Sequence, residues 1–387
     1  MKDYFNTSYP STEYLRLKAK TRIPSFAFDY VDNGCFNNVG MLRNNQDLRK
    51  IELMPNYIEK LIKPDLKSNL FGVEYSAPFG ISALGLQGLI WPNAPEILAK
   101  AAVEHNIPFM LSTVTSASIE KIAKITNGNF WFQLYHPTDD NITDDILERC
   151  KNVGVKNLVI VSDVPSFSYR PKEIKNGLTI PPKLTPHNIK EMMLSPKWCM
   201  QMYKYGKPQF ETLSKYMPPD KDTHHLSQFM NKVFDGRLTN DRIKRLRDRW
   251  DGNLIIKGIS SCSDVQHAID LGVDGVTVSN HGGRQLEYGP STISQAYDIV
   301  KKYSGKIVIM MDGGIRNGAD MANALSVGVD FTFLGRVFMY SVAALGEKGG
   351  DHAINMLSKQ LQQVMAQVGA EHPNNLTANF IDKGYFN

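Results

Sequence analysis

Eight short apolar runs punctuate the chain, each four to eight residues long, with stretches of helical spacing between them. They fall at 77–84 (APFGISAL), 108–112 (PFMLS), 130–135 (FWFQLY), 157–164 (NLVIVSDV), 253–259 (NLIIKGI), 275–280 (GVTVSN), 307–313 (IVIMMDG) and 331–336 (FTFLGR). Continuous hydrophobicity without polar alternation marks a parallel strand covered on both faces. Between the runs, 95–105 places Ile97, Leu98, Ala101, Ala102 and Val103 at helical intervals, 118–124 begins on Ser118, 263–271 opens on Ser263 and Asp264, and 320–327 repeats the pattern. Strands alternating with helices predict βαβ units with right-handed crossovers. Eight such units predict an α/β fold, a (β/α)8 TIM barrel over 76–345. An open doubly wound sheet is the alternative, because closure is not written in the pattern.

Two stretches interrupt the rhythm. Residues 1–75 precede the barrel and read as a helical extension, and 346–387 read as a C-terminal helical segment. After the fourth strand comes a long insertion over 176–240, broken by prolines at 181, 182, 186, 196, 208, 218 and 219.

Composition changes this picture in one respect. At 387 residues, 42% hydrophobic and 21% charged, the chain is an ordinary globular protein, and a net charge of +5 does not point to nucleic acid. That charge is uneven: residues 170–250 hold 17 Lys and Arg against 8 Asp and Glu, leaving the remainder slightly acidic. Four dispersed cysteines form no metal-binding or disulfide pattern. With no apolar leader at the N-terminus and no run long enough to span a bilayer, the expected location is cytoplasmic.

In a barrel the residues just past each strand's C-terminus converge on one mouth. Read at those positions, the chain supplies Gly85, Ser112, Gln133, Tyr135, Asp163, Arg170, Lys257, Ser279, His281, Arg284, Asp312, Arg316, Gly335 and Arg336. Asp312-Gly313-Gly314-Ile315-Arg316 and Leu334-Gly335-Arg336 follow the last two strands, the recurrent phosphate site of this fold. Glycines let backbone N–H groups approach an anion, and arginine adds fixed donors. His281 with Arg284 pairs a titratable base with a carboxylate clamp, and Asp163 is placed to orient the imidazole. Lys257 is either a buried charge beside an electron-accepting cofactor or the partner of a barrel carboxylate.

The stretches SNHGGRQLEYGP, MDGGIRNGAD, FLGR, FWFQLY and IIKGI resemble the FMN-dependent L-2-hydroxy-acid oxidase/dehydrogenase family. The resemblance runs from Ile23-Pro24 to the LGEKG stretch at 345–349. GLQG, SPKW and RDRWDG resemble its L-lactate and mandelate dehydrogenase subgroup. It implies FMN as cofactor and oxidation of a small L-2-hydroxy acid to the 2-oxo acid. By that resemblance Tyr30, Tyr135, Arg170 and Arg284 line or bind the substrate, His281 is the base, and Asp163 stabilises the imidazolium. Lys257 sits beside the flavin, Gly85, Ser112, Gln133 and Ser279 contact it, and Asp312, Gly314, Arg316, Gly335 and Arg336 hold its ribityl phosphate end.

The same resemblance implies a quinone or similar electron acceptor and a homotetramer. It also implies attachment of the basic insertion to an anionic membrane surface, on the inner face of the cell membrane. Oxygen is the alternative acceptor, in a soluble peroxide-forming oxidase. The chain departs from the family's usual pattern at Val161, Val114, Glu287 and Leu84. None of these removes a group the chemistry needs.

Overall fold

The computed structural model describes residues 3–58, 62–178, 185–217, 236–384 and 386. An antiparallel hairpin, β1 (Ser68–Leu70) and β2 (Val73–Tyr75), precedes eight parallel strands. These are β3 (Phe79–Ile81), β4 (Met110–Ser112), β5 (Trp131–Leu134), β6 (Asn157–Val161), β7 (Asn253–Ile259), β8 (Gly275–Val278), β9 (Val308–Asp312) and β10 (Phe331–Leu334). One strand lies in each of the eight apolar runs. They pair in the order β3-β10-β9-β8-β7-β6-β5-β4, and a parallel bridge between Ile81 and Phe109 joins the two ends. The sheet therefore closes into a barrel, and the open-sheet alternative is set aside.

Strand alternation divides the barrel interior into two floors. Met110, Trp131, Val159, Ile255, Met310, Phe331 and Phe333 form one buried cluster with hairpin residues Leu70 and Tyr75. Two residues further along five of these strands, on the same face, stand Ser112, Gln133, Val161, Lys257 and Asp312. The N-terminal floor is thus dry and packed, and the C-terminal floor is polar. The period of two that builds a strand is what lifts the chemistry to one mouth.

The structure departs from the sequence reading in several places. Residues 68–75 are a hairpin, not helix, and the hairpin stops the lower end of the barrel. Phe71 lies 5.7 Å from the Trp131 ring, in contact with the space above Gly275. Helix Cys262–Asp270 is capped by Ser261, whose Oγ accepts from Asp264 N at 3.1 Å, two residues before the expected cap. Ser118 caps Ile119–Thr126 as its position predicts.

Positions 179–184 and 218–235 of the insertion lie outside the described residues. Its described part forms helices Pro186–Met193 and Pro196–Tyr205 and a turn of 3-10 helix at Ser214–Tyr216. Trp198 anchors it: the indole is buried against Phe26 and donates to Leu89 O at 3.0 Å. Much of the basic excess is neutralised locally. Arg245 and Arg249 pair with Asp144, Lys215 with Asp145 and Arg247 with Asp274. The two helices also carry Lys190, Lys197 and Lys204, the last lying over the Tyr205 ring, beside exposed Ile189, Met193, Leu194, Met200 and Tyr203.

Candidate active site

The loop after β8 carries His281 in a left-handed backbone, φ 56°, followed by Gly282 and Gly283 at positive φ. A non-glycine residue held there is strained and needs support from its surroundings. That support is visible. His281 N donates to Ser279 Oγ at 3.1 Å, and Asn280 exchanges two amide bonds with Asn44 of helix Val39–Leu48, at 2.7 and 2.8 Å. Cys35 N donates to Gly283 O at 3.0 Å. The N-terminal extension therefore braces the histidine loop from outside the barrel.

His281 sits between two polar groups. Its Nδ1 is 3.1 Å from Asp163 Oδ1, and its Nε2 is 3.3 Å from the Tyr135 hydroxyl. Burial raises the Asp163 carboxyl, but the His281 ring and then Lys257 outweigh it and hold the group below the ordinary carboxylate range. Asp163 is thus an anion that fixes the ring and faces Nε2 toward the mouth. Burial, aided by Asp163, pushes the Tyr135 phenol up, so it remains a neutral donor.

Two guanidiniums belong to the same neighbourhood, where Gln285 links Arg170 to the Asp163 carbonyl. Arg284 lies over the Tyr30 ring, 4.9 Å from its centroid, and its Nη1 donates to the carbonyls of Tyr30 and Asn33. Arg170 donates from Nε to Ser168 Oγ at 2.9 Å and from Nη2 to Gln285 Oε1 at 3.2 Å. Tyr30 OH closes the wall by donating to Gly85 O at 3.3 Å, and a Cβ at Gly85 would meet Val114 at 3.1 Å and Tyr30 OH at 3.2 Å. The expected substrate residues converge on one space.

Lys257 is almost fully buried, and its Nζ lies 2.7 Å from Asp312 Oδ2 and 2.9 Å from Ser279 Oγ. Of the two sequence readings of Lys257, the structure shows the second: a barrel carboxylate partners it, at the polar floor. Asp312 correspondingly differs from its expected place at a phosphate end. Strand alternation turns it inward, where it also accepts from Ser279 and Ser82. Ser112 and Gln133 are buried on the same floor.

The phosphate-loop residues divide into two kinds. Gly313 and Gly314 adopt φ 90° and 85°, and Arg316 and Arg336 approach each other at this rim. Burial and then the Arg316 charge push the Arg336 guanidinium down to about 9. Two neighbouring cations beside positive-φ glycines have the donor chemistry that an anion requires. Arg336 also donates to the carbonyls of Val31, Gly282 and Asn33, so it locks the extension as well as facing the rim. Gly335 immediately precedes helix Arg336–Leu345.

Some residues that shape the site were not singled out from the sequence. Glu173 is buried against Arg284, and Gln285 bridges Arg170 to Asp163 O. Asn44 acts from a distant element. Gly258 had a visible signal, a lone glycine inside an apolar strand, which marks a bulge or a close backbone approach. It takes φ 105° where β7 shifts register, and a Cβ there would lie 2.6 Å from Asp163.

Comparison with known proteins agrees with this geometry. The family described as FMN-dependent dehydrogenase matches residues 19–383. An L-lactate dehydrogenase of Vibrio cholerae is 34% identical over 362 residues, covering 93% of this chain and 95% of its own. One from Ectopseudomonas mendocina is 32% identical over 374 residues, covering 96% and 98%. Among solved structures, the monotopic membrane protein (S)-mandelate dehydrogenase superposes with a TM-score of 0.91 at 28% identity, covering 97% of this chain and all of that one. The residues present fit FMN: a polar floor with a buried lysine suits a ring that gains negative charge, and the paired arginines at the glycine loops suit its phosphate. A closed barrel with these two features at one mouth, matched over nearly its whole length, belongs to the FMN-dependent dehydrogenase family.

Proposed function

We propose that the protein oxidises a small L-2-hydroxy acid, of lactate or mandelate type, to the 2-oxo acid. The observation that carries this reading is His281, held between Asp163 and Tyr135, with Gln285 linking Arg170 to the Asp163 carbonyl and Glu173 joining Arg170 to Arg284. A base grouped with two cations has little use in a mere flavin carrier. It suits a substrate with a hydroxyl beside a carboxylate.

In this reading each guanidinium keeps two N–H groups not used among the described residues, enough for a carboxylate to be held by both. His281 Nε2 accepts the hydroxyl proton, and Asp163 stabilises the imidazolium at Nδ1. The Tyr135 hydroxyl orients the same oxygen. Bound FMN supplies the two-electron acceptor for the α-hydrogen. Lys257 contributes a fixed positive charge to the floor on which the flavin would lie. If the α-hydrogen leaves as a proton, the same base takes it.

The test is anaerobic bleaching of the flavin across a panel of L-2-hydroxy acids. His281→Ala is expected to keep its FMN and to bleach at least about 10²–10⁴-fold more slowly. Normal bleaching in that variant overturns the reading.

For the electron acceptor we infer a quinone at a membrane surface. Lys190, Lys197 and Lys204 beside exposed Met193, Leu194, Met200 and Tyr203 form an amphipathic face suited to an anionic interface. The mandelate dehydrogenase neighbour is described as monotopic, and no helix among the described residues is long and apolar enough to cross a bilayer. Rapid peroxide formation with oxygen, and none of the expected reduction of a quinone-like dye, would replace this acceptor with oxygen.

A further inference from the structure

The two guanidiniums expected to take the substrate carboxylate already share a carboxylate of the chain itself. Glu173 projects from the short helix Pro171–Lys175, and its side chain is 9% exposed. One oxygen accepts from Arg284 Nη2 at 2.7 Å and the other from Arg170 Nη1 at 3.4 Å. Every other acceptor on these arginines is neutral: the Tyr30 and Asn33 carbonyls, the Ser168 hydroxyl and the Gln285 amide. Among the described residues, Glu173 is the only carboxylate paired with either guanidinium.

The charge balance of this clamp is therefore two cations and one anion. One substrate carboxylate completes it. A second carboxylate on the same ligand would sit unpaired in a buried space, where an uncompensated charge is costly. We propose that Glu173 is a specificity-determining residue that positions Arg170 and Arg284 and restricts the site to 2-hydroxy acids bearing a single carboxylate. Asp163 also repels a second carboxylate, but it is present in every form compared below and cancels from the comparison. The inference rests on the reading of the site as a 2-hydroxy-acid site.

The test uses ligands without an α-hydrogen, so that none turns over. Citramalate and its side-chain monoamide have the same size and differ by one charge, and 2-hydroxyisobutyrate is the small reference acid. Dissociation constants are measured by calorimetry on the FMN-loaded protein. Wild type is expected to prefer the amide over citramalate by at least about tenfold, the scale of one unit charge at short range. Glu173→Gln should shrink that ratio about tenfold by tightening citramalate, and Glu173→Asp, which keeps the charge, should preserve it.

Equal affinity of wild type for the two isosteres overturns the proposal. So does an unchanged ratio in a Glu173→Gln protein with normal FMN content and melting. If 2-hydroxyisobutyrate binds and the amide does not, size does the excluding and the proposal also falls. Should Glu173→Gln fail to fold, Glu173→Ala, which also removes the charge, supplies the same ratio to set against wild type. Failure of 2-hydroxyisobutyrate to bind at all would instead remove the 2-hydroxy-acid reading.

Discussion

At the scale of single residues, the site depends on groups that touch nothing reactive. Gly258 occupies the bulge in β7 beside Lys257, and its missing Cβ is the space filled by the Asp163 side chain. Gly258→Ala is doubly opposed, by φ 105° and by a 2.6 Å approach to Asp163. The displaced carboxylate would turn the His281 ring, and misplacement of about an ångström can cost on the order of 10²-fold in rate. The expected outcome is retained FMN with anaerobic bleaching slowed by roughly that factor. Bleaching at the wild-type rate would show that Asp163 does not set the ring. His281, Asp163, Arg170 and Arg284 were legible in the sequence because strand ends in a barrel must converge. Glu173 and Asn44 were not legible, since their roles depend on which loop a neighbouring element happens to brace.

Among the elements, the hairpin and the insertion teach opposite lessons. The hairpin β1–β2 is a short local pairing whose hydrophobic residues, Leu70 and Tyr75, find their partners only inside the barrel. From sequence it is read as part of the helical extension. The segment 170–250 announces itself by charge, but tertiary contacts of Lys215, Arg245, Arg247 and Arg249 with Asp144, Asp145 and Asp274 cancel part of that charge. What survives is the outward face of two helices.

We predict that Met193→Ser, Met200→Ser and Tyr203→Ser combined leave melting and bleaching essentially unchanged, because all three side chains are exposed. The same variant should lose association with anionic vesicles by at least about 10²-fold, since each large apolar side chain is worth roughly 1.5–3 kcal/mol when buried. Flotation with vesicles measures this, and undiminished flotation would return the face to ordinary surface.

For the molecule as a whole, stability should fall on the acid side in a specific window. Burial and then the neighbouring Arg242 push His136 from 6.5 down to about 4. The Arg242 guanidinium donates to its Nδ1 at 3.0 Å. The folded pKa is below the unfolded one, so between pH 6.5 and about 4 the unfolded chain binds a proton that the fold refuses. The stabilisation is complete above that window and is lost progressively as the pH falls through it. Burial lowers His352 in the same direction, where its ring accepts from Asn6 N. His136→Asn is expected to flatten the dependence of melting on pH by on the order of 1–2 kcal/mol, allowing for partial exposure. An unaltered pH profile in that variant would assign the acid loss elsewhere.

The sequence by itself determined the eight-strand periodicity, the polar mouth and the stretches that mark an FMN-dependent dehydrogenase. The strands and the mouth are properties of spacing along the chain, which a period of two or of 3.6 carries without reference to distant residues. The family is marked by the resemblance of its motifs. Tertiary structure alone decided barrel closure, the hairpin stopper, the pairing of Asp312 with Lys257, the brace of Asn44 on the histidine loop and the sharing of Glu173 by two arginines. Each of these needs at least one contact between residues far apart in the chain. Such contacts follow from packing and charge compensation in three dimensions, and no local pattern records which partners meet.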